Sequence, residues 1–258
     1  MRVLFVGDIV GRAGRKILKE NLGLVCHRHN VDFIILNVEN AAGGFGITKK
    51  IAEEFLRLQV DVMTSGNHIW DNQDAFSYLD SQPLLLRPAN YPPGLPGSGS
   101  CITTSQTGIS VAVLNLQGRV FMQPLDCPFR TAETLIDSLK TKADVIIVDF
   151  HAEATSEKMA MGWFLDGKVS AVLGTHTHVP TADSRILPSG TAYVTDVGMT
   201  GAYDSIIGMQ VETVLPRFIS GISRTRFEPA SGNPRFCSVL VDIDHHTGKG
   251  NSIERIDL

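Results

Sequence analysis

Two histidines separated by one residue close the run Leu173-Gly174-Thr175-His176-Thr177-His178. In extended backbone, side chains at i and i+2 leave on the same side, about 6.6 Å apart along the strand, so both imidazoles can face one pocket. A helix would point them nearly opposite ways. Similar groups recur at four other points, each after a run of β-forming residues: Asp8 after residues 3–7, Glu39 and Asn40 after 33–38, Asn67 and His68 after 60–64, and His151 after 145–150. Singly they have plain readings, with Asp8 as a helix cap, Asn67 in a turn and His151 as a satisfied core imidazole. Jointly they predict a shared metal site.

Imidazole, carboxylate and amide oxygen without thiolate suit borderline and hard ions such as manganese, iron or zinc, and not a closed structural zinc. The donors are too many for one ion. Two ions roughly 3.5–4 Å apart, sharing a carboxylate, would use them all and would form the clamp of phosphoester hydrolysis.

Apolar strands alternating with helices must carry these groups. Ile17, Leu18, Leu22, Leu24 and Val25 fall mostly at helical spacing within residues 14–29, so a strand, loop, helix unit opens the chain. Thr48 is placed to cap a helix carrying Ile51, Phe55, Leu56 and Leu58. Further helices are predicted at residues 71–79, 131–141, 156–165 and 211–219, and further strands at 111–115, 169–173 and 191–195. Pro83, Pro88, Pro92, Pro93 and Pro96 predict an irregular surface crossing over residues 83–100. Residues 236–243 and 252–256 flank a His246-Thr247-Gly248 turn and read as a hairpin. The pattern predicts an α/β fold, a largely parallel or mixed sheet with helices on its faces. In such sheets the ligand crevice lies outside the carboxyl ends of the strands, where all the candidate donors fall.

The 258 residues are 43% hydrophobic and 19% charged, a globular balance that excludes a disordered chain. No long linker divides them, so a single domain over residues 1–258 is expected. A net charge of −4 without a block of Lys or Arg excludes an extended nucleic-acid partner. No apolar stretch approaches the ~18 residues of a bilayer span, and Asp8 interrupts the opening residues before they could form the apolar core of a signal peptide. Cys26, Cys101, Cys127 and Cys237 are scattered and read as thiols in a reducing cytosol. A soluble, cytoplasmic protein with no membrane partner is expected.

In order along the chain, Gly7-Asp8, Gly66-Asn67-His68, the lone His151 and the segment from Gly174 to His178 resemble the motifs of the calcineurin-like metallophosphoesterases. Over nearly the whole chain the closer likeness is to the bacterial YmdB-like branch, which shares Asn37-Val38-Glu39-Asn40 and Thr195-Asp196-Val197-Gly198-Met199-Thr200-Gly201. The resemblance implies a mixed β-sandwich flanked by helices, in four α/β/β/α layers. It also implies two metal ions per chain, iron or manganese ahead of zinc or magnesium. One ion would be held by Asp8, Glu39, Asn40 and His178, the other by Glu39, Asn67, His151 and His176, with Glu39 bridging. His68 would stay off the metals as a catalytic acid. The chain departs from the superfamily's first motif, Asp-x-His, because Val10 stands at the histidine position, and it lacks the second motif, Gly-Asp-x-x-Asp. Glu39 and Asn40 offer a repair, supplying a bridging carboxylate and an amide oxygen.

That set contains two distinct carboxylates, so two divalent ions would leave the site at about +2, a field that favours a phosphoryl anion. The expected reaction is hydrolysis of small phosphodiesters, 2′,3′- or 3′,5′-cyclic nucleotides among them. A hydroxide bridging the metals would attack while His68 protonates the leaving oxygen, with Asp71 as its partner. Arg119 and the loop from Ala41 to Gly46 are candidates for cradling phosphate, although a surface arginine and a plain turn are simpler readings. Trp70 and Trp163 lie near site segments, with packing as their simpler role, and His27, His29, His245 and His246 read as surface residues. A metallo-β-lactamase-like hydrolase also uses His-x-His but continues to Asp-His, where this chain has Val179-Pro180. A non-catalytic regulator that keeps the metals and binds a nucleotide or a protein partner is the remaining alternative, disfavoured by His68 beside Asn67. A homo-oligomer is a family-level expectation.

Overall fold

The computed structural model describes residues 1–222 and 226–258. In the first sheet, β1 (Arg2–Val6) runs parallel to β3 (Phe33–Asn37), which runs parallel to β4 (Val62–Thr64). On the other side of β1 lies the expected hairpin, β13 (Cys237–Asp244) with β14 (Lys249–Asp257), antiparallel to it. The second sheet has four parallel strands, β6 (Ser110–Gln117), β7 (Val145–His151), β8 (Ala171–Thr175) and β10 (Ala192–Val194). Antiparallel β5 (Ser100–Thr104) and β9 (Arg185–Ile186) form its edges. A small third sheet joins β2 (Asp8–Ile9), β11 (Met199–Ala202) and β12 (Pro234–Arg235).

Side-chain alternation along each strand builds the layers. Val3, Phe5, Phe33 and Ile35 point between the sheets, where they meet Val113, Val145, Ile147 and Leu173. The intervening Leu4, Val6, Ile34 and Leu36 turn outward beneath α1 (Gly11–His29), α2 (Lys49–Arg57) and α3 (Gln73–Ser81), packing with Leu18, Leu22, Phe55 and Leu79. On the far side, Leu114, Ile146, Val148 and Val172 lie under α4 (Pro128–Leu139) and α5 (Thr155–Leu165). The result is four α/β/β/α layers. Burial on both faces is why the strands read as continuous apolar runs. Among the described residues, no helix is long and apolar enough to cross a membrane.

Register brings the strand ends level. Gln117 lies opposite His151, His151 opposite Thr175, and Asn37 opposite Thr64. Thr48 caps α2 as expected, its hydroxyl accepting the Ile51 N–H at 3.3 Å. Other boundaries differ. The helix expected at 71–79 is α3, displaced by two residues because its cap is Asn72, which accepts from the Asp74 N–H at 3.1 Å, and a 3₁₀ turn, Asn67–Trp70, precedes it. The expected surface crossing at 83–100 is partly interior: Leu85, Leu86 and Asn90 are buried. The Leu84 carbonyl and the Leu86 N–H each pair with Met63 at 2.8 Å, so the prolines stop a strand without expelling the leucines. The short, polar β5 and the third sheet leave no periodic signal in the sequence.

Candidate metal centre

Asp8, Glu39, Asn40 and Asn67 follow strands of the first sheet, and His151, His176 and His178 end or follow strands of the second. Close backbone approach admits them to one rim. A Cβ on Gly7 would lie 1.9 Å from the Gly198 carbonyl oxygen, and one on Gly66 would lie 2.2 Å from the His151 ring and 2.3 Å from Glu39 Oε2. Gly66 is therefore required by contact with the site itself, and Gly7 by the close pass of the Gly198 backbone.

Two groups of donors lie within 4.8 Å of one another, Glu39 with His151 and His176, and Asp8 with Glu39 and His178. Glu39 belongs to both. In the first group His151 Nε2 stands 3.1 Å from Glu39 Oε2, 3.2 Å from Asn67 Oδ1 and 3.0 Å from His176 Nδ1. In the second, Asp8 Oδ1 is 4.0 Å from His178 Nε2 and has no hydrogen-bond partner among the described residues although fully buried. Asn40 turns its Nδ2 toward Glu39 Oε1 and His178 Nε2, 3.0 Å from each. A half-turn of the amide puts its oxygen there, as a ligand role requires. Converging lone pairs and an orphaned carboxylate oxygen are what divalent cations satisfy, so the residues fit two ions.

The histidine pair reaches the site by a route the sequence did not show. β8 ends at Thr175, and His176 (φ 98°) and His178 (φ 63°) both sit in left-handed backbone instead of continuing the strand. The imidazoles diverge to different groups. Between them Thr177 is clamped: Asp196 Oδ2 accepts from its N–H at 3.1 Å and its hydroxyl at 2.7 Å, and from the Lys158 ammonium at 2.6 Å.

Each histidine has its second nitrogen occupied, which leaves one lone pair for the site. His178 Nδ1 donates to the Ile207 carbonyl at 2.8 Å. His151 Nδ1 meets the Thr175 hydroxyl at 2.9 Å, which donates to Asp149 Oδ1 at 2.7 Å. His176 Nε2 meets Glu153 Oε2 at 3.1 Å. Asp149 also accepts from Asn37 Nδ2 at 2.9 Å and from the Thr64 hydroxyl. Sequence reasoning missed this supporting set. Its one signal was Asp149 inside the apolar run of β7.

Burial raises the Asp8 carboxyl to about 6 against the opposing charges of His178 and His151. Burial also acts to raise Glu39, but the charge and hydrogen bond of His151 prevail and hold it well below the usual carboxylate range. His151 is raised in turn: burial disfavours its cation, and Glu39 and Asp8 outweigh that. Burial, then the neighbouring His151, lowers His176 to about 3.

A cavity of about 450 Å³ opens over the donors, with His68 on its wall. His68 Nδ1 lies 2.7 Å from Asp71 Oδ2, and Phe45 meets its ring edge-on at 5.3 Å. Gly44 and Phe45 line the cavity, so part of the Ala41 to Gly46 loop belongs to it, whereas Arg119 is an exposed residue whose N–H donates to Glu157 at 3.0 Å. Trp70 packs on Tyr91, and Trp163 is half-exposed under Arg185.

The chain matches the YmdB-like protein family over residues 4–256. It belongs to the YmdB-like family. A Bacillus subtilis relative, a 2′,3′-cyclic-nucleotide 2′-phosphodiesterase, is 50% identical over 99% of this chain and 96% of its own. A solved structure of a hypothetical protein from Thermus thermophilus superposes with a TM-score of 0.93 at 43% identity, covering 100% of this chain and 99% of that one. The structure of a phosphatase from Mycoplasma pneumoniae gives 0.93 at 36%, over 100% and 93%. This YmdB-like chain is thus a metallophosphoesterase, a hydrolase of phosphoester bonds.

Proposed function

We propose that this YmdB-like chain is a binuclear metal-dependent phosphodiesterase acting on small phosphodiesters, 2′,3′-cyclic nucleotides first and 3′,5′-cyclic nucleotides second. The observation that carries the reading is the pair of donor groups sharing Glu39 on the cavity that His68 also lines. Asp8, Glu39, Asn40 and His178 would hold one ion, and Glu39, Asn67, His151 and His176 the other, iron or manganese ahead of zinc or magnesium. Two divalent ions would supply Lewis acidity, lowering the pKa of a water and neutralising charge on the phosphoryl oxygens. His68, its Nδ1 held 2.7 Å from Asp71 Oδ2, would protonate the leaving oxygen through Nε2. The His68 N–H donates to Glu39 Oε2 at 3.2 Å, which ties the acid's backbone to the proposed bridging carboxylate. The substrate preference rests on the name of the Bacillus subtilis relative. The free cysteines accord with a reducing cytoplasm.

The test measures metal content and then hydrolysis of an artificial phosphodiester, a phosphomonoester and both cyclic nucleotides by one metal-loaded sample. Two ions per chain and diester turnover are expected, both disrupted by Asp8→Asn or Glu39→Gln. His68→Gln should lower turnover roughly 10²- to 10⁴-fold with the metals retained. Metal loss in that variant would move His68 into the ligand set, and full occupancy without turnover of any ester would establish the regulator instead.

A further inference from the structure

The cavity over the donors is larger than a phosphate needs. Its polar lining is Glu39, Asn40, His68, Glu153, His176, Thr177 and His178, and apart from Arg217 the rest is largely apolar and aromatic, with Phe45, Ile207, Met209, Val214, Phe218 and Phe227. At about 450 Å³ the space falls within the range of sites that enclose nucleotide-sized ligands. Val214 and Phe218 come from α6 (Val211–Ser220), four residues apart and so on one helix face. Val214 is buried, whereas Phe218 stays 74% exposed at the mouth, an aromatic surface left for a ligand to cover. Arg217, the cation on this wall, lies with its guanidinium carbon 5.7 Å from the Phe227 ring centroid. Flat apolar surface beside a planar cation suits an aromatic heterocycle with hydrogen-bond acceptors on its edge.

We propose that the wall formed by α6 and Phe227 is the subsite for a purine or pyrimidine base, with Phe218 and Arg217 as its specificity-determining residues. The assignment rests on the phosphodiesterase reading, which places phosphate at the donor floor. The opposite flank of the donors, where Phe121, Met122 and Gln123 join Asn67 and His176 around about 410 Å³, is the competing location.

Two esters separate the possibilities, adenosine 2′,3′-cyclic phosphate and glycerol 1,2-cyclic phosphate, which carries the same strained diester without a base. Phe218→Ala and Arg217→Ala should each lower the ratio of their kcat/KM values about tenfold, the usual scale of a lost stacking contact. Calorimetric titration of the metal-loaded protein with adenosine 3′-monophosphate should show a comparable weakening in both variants. An unchanged ratio in both, or a collapse in Phe121→Ala alone, overturns the subsite. If the unaltered protein cleaves neither ester, the phosphodiesterase reading fails, and the monophosphate titration decides the subsite alone: weaker binding in Phe218→Ala sustains it and equal binding ends it.

Discussion

Asp8 Oδ1 is a buried acceptor that no described residue satisfies, an arrangement unfavourable for the charged group. Its carboxyl accordingly stands at about 6, above the ordinary 3.8. The metal-free fold holds this proton more tightly than the unfolded chain. Its stabilisation is complete below the ordinary value and is lost as pH rises through about 6. A cation must displace that proton, and also the one that Glu39 helps to keep on His151, whereas His176, at about 3, is already neutral. Affinity for manganese should therefore rise as pH passes about 6 and go on rising above the ordinary imidazole value until His151 is neutral, which calorimetric titration across that range checks. A flat profile would show that Asp8 and His151 are not ligands. The donor types at this scale were legible in the sequence, because side-chain chemistry needs no fold to be read. Which nitrogen each histidine presents was not, since Glu153, Thr175 and the Ile207 carbonyl set it through contacts with no sequence signature.

The helices and buried strands were legible at the scale of the element, because the period of apolar positions is local. The bend after β8 was not. Two non-glycine residues with positive φ cost on the order of 1–3 kcal/mol each, so His176 and His178 keep their conformation only if surrounding structure imposes it. The Lys158–Asp196 pair does so from α5 and from the loop after β10, with Asp196 Oδ1 also accepting the Gly198 N–H at 2.8 Å. Both partners are out of water. Lys158→Met would leave the buried Asp196 carboxylate without its countercharge and should cost about 3–5 kcal/mol in urea unfolding of the metal-free protein. Metal affinity should fall about 10- to 100-fold as the loop loosens. Lost stability with unaltered affinity would confine the pair to a packing role.

For the whole molecule, the donors join the two halves of the sandwich. Asp8, Glu39, Asn40 and Asn67 follow strands of the first sheet, and His151, His176 and His178 end or follow strands of the second, so ions held among them would add a bridge between sheets that meet through apolar packing and the hydrogen bonds of Asp149 to Asn37 and Thr64. A ligand that binds only the folded state at a hundred times its Kd adds about 2.7 kcal/mol. For a chain of this size that corresponds to about 5–10 °C in Tm. Thermal unfolding with manganese against chelator should show such a shift, and Glu39→Gln, which touches both groups, should remove most of it. Equal Tm values with and without metal would refute the bridge.

The sequence by itself determined the α/β class, the strand ends at which donors sit and the absence of thiolate among them, all properties of residues and their near neighbours. The tertiary structure alone decided that β8 stops before the histidine pair and that Leu85 and Leu86 turn inward. It also decided that Glu39 lies between two donor groups and that α6 lays an aromatic wall beside His68. Each of these is a meeting of segments far apart in the chain. Local periodicity carries no information about which distant backbone closes on a glycine such as Gly7, where an added Cβ would lie 1.9 Å from a carbonyl oxygen, and here such approaches shape the site.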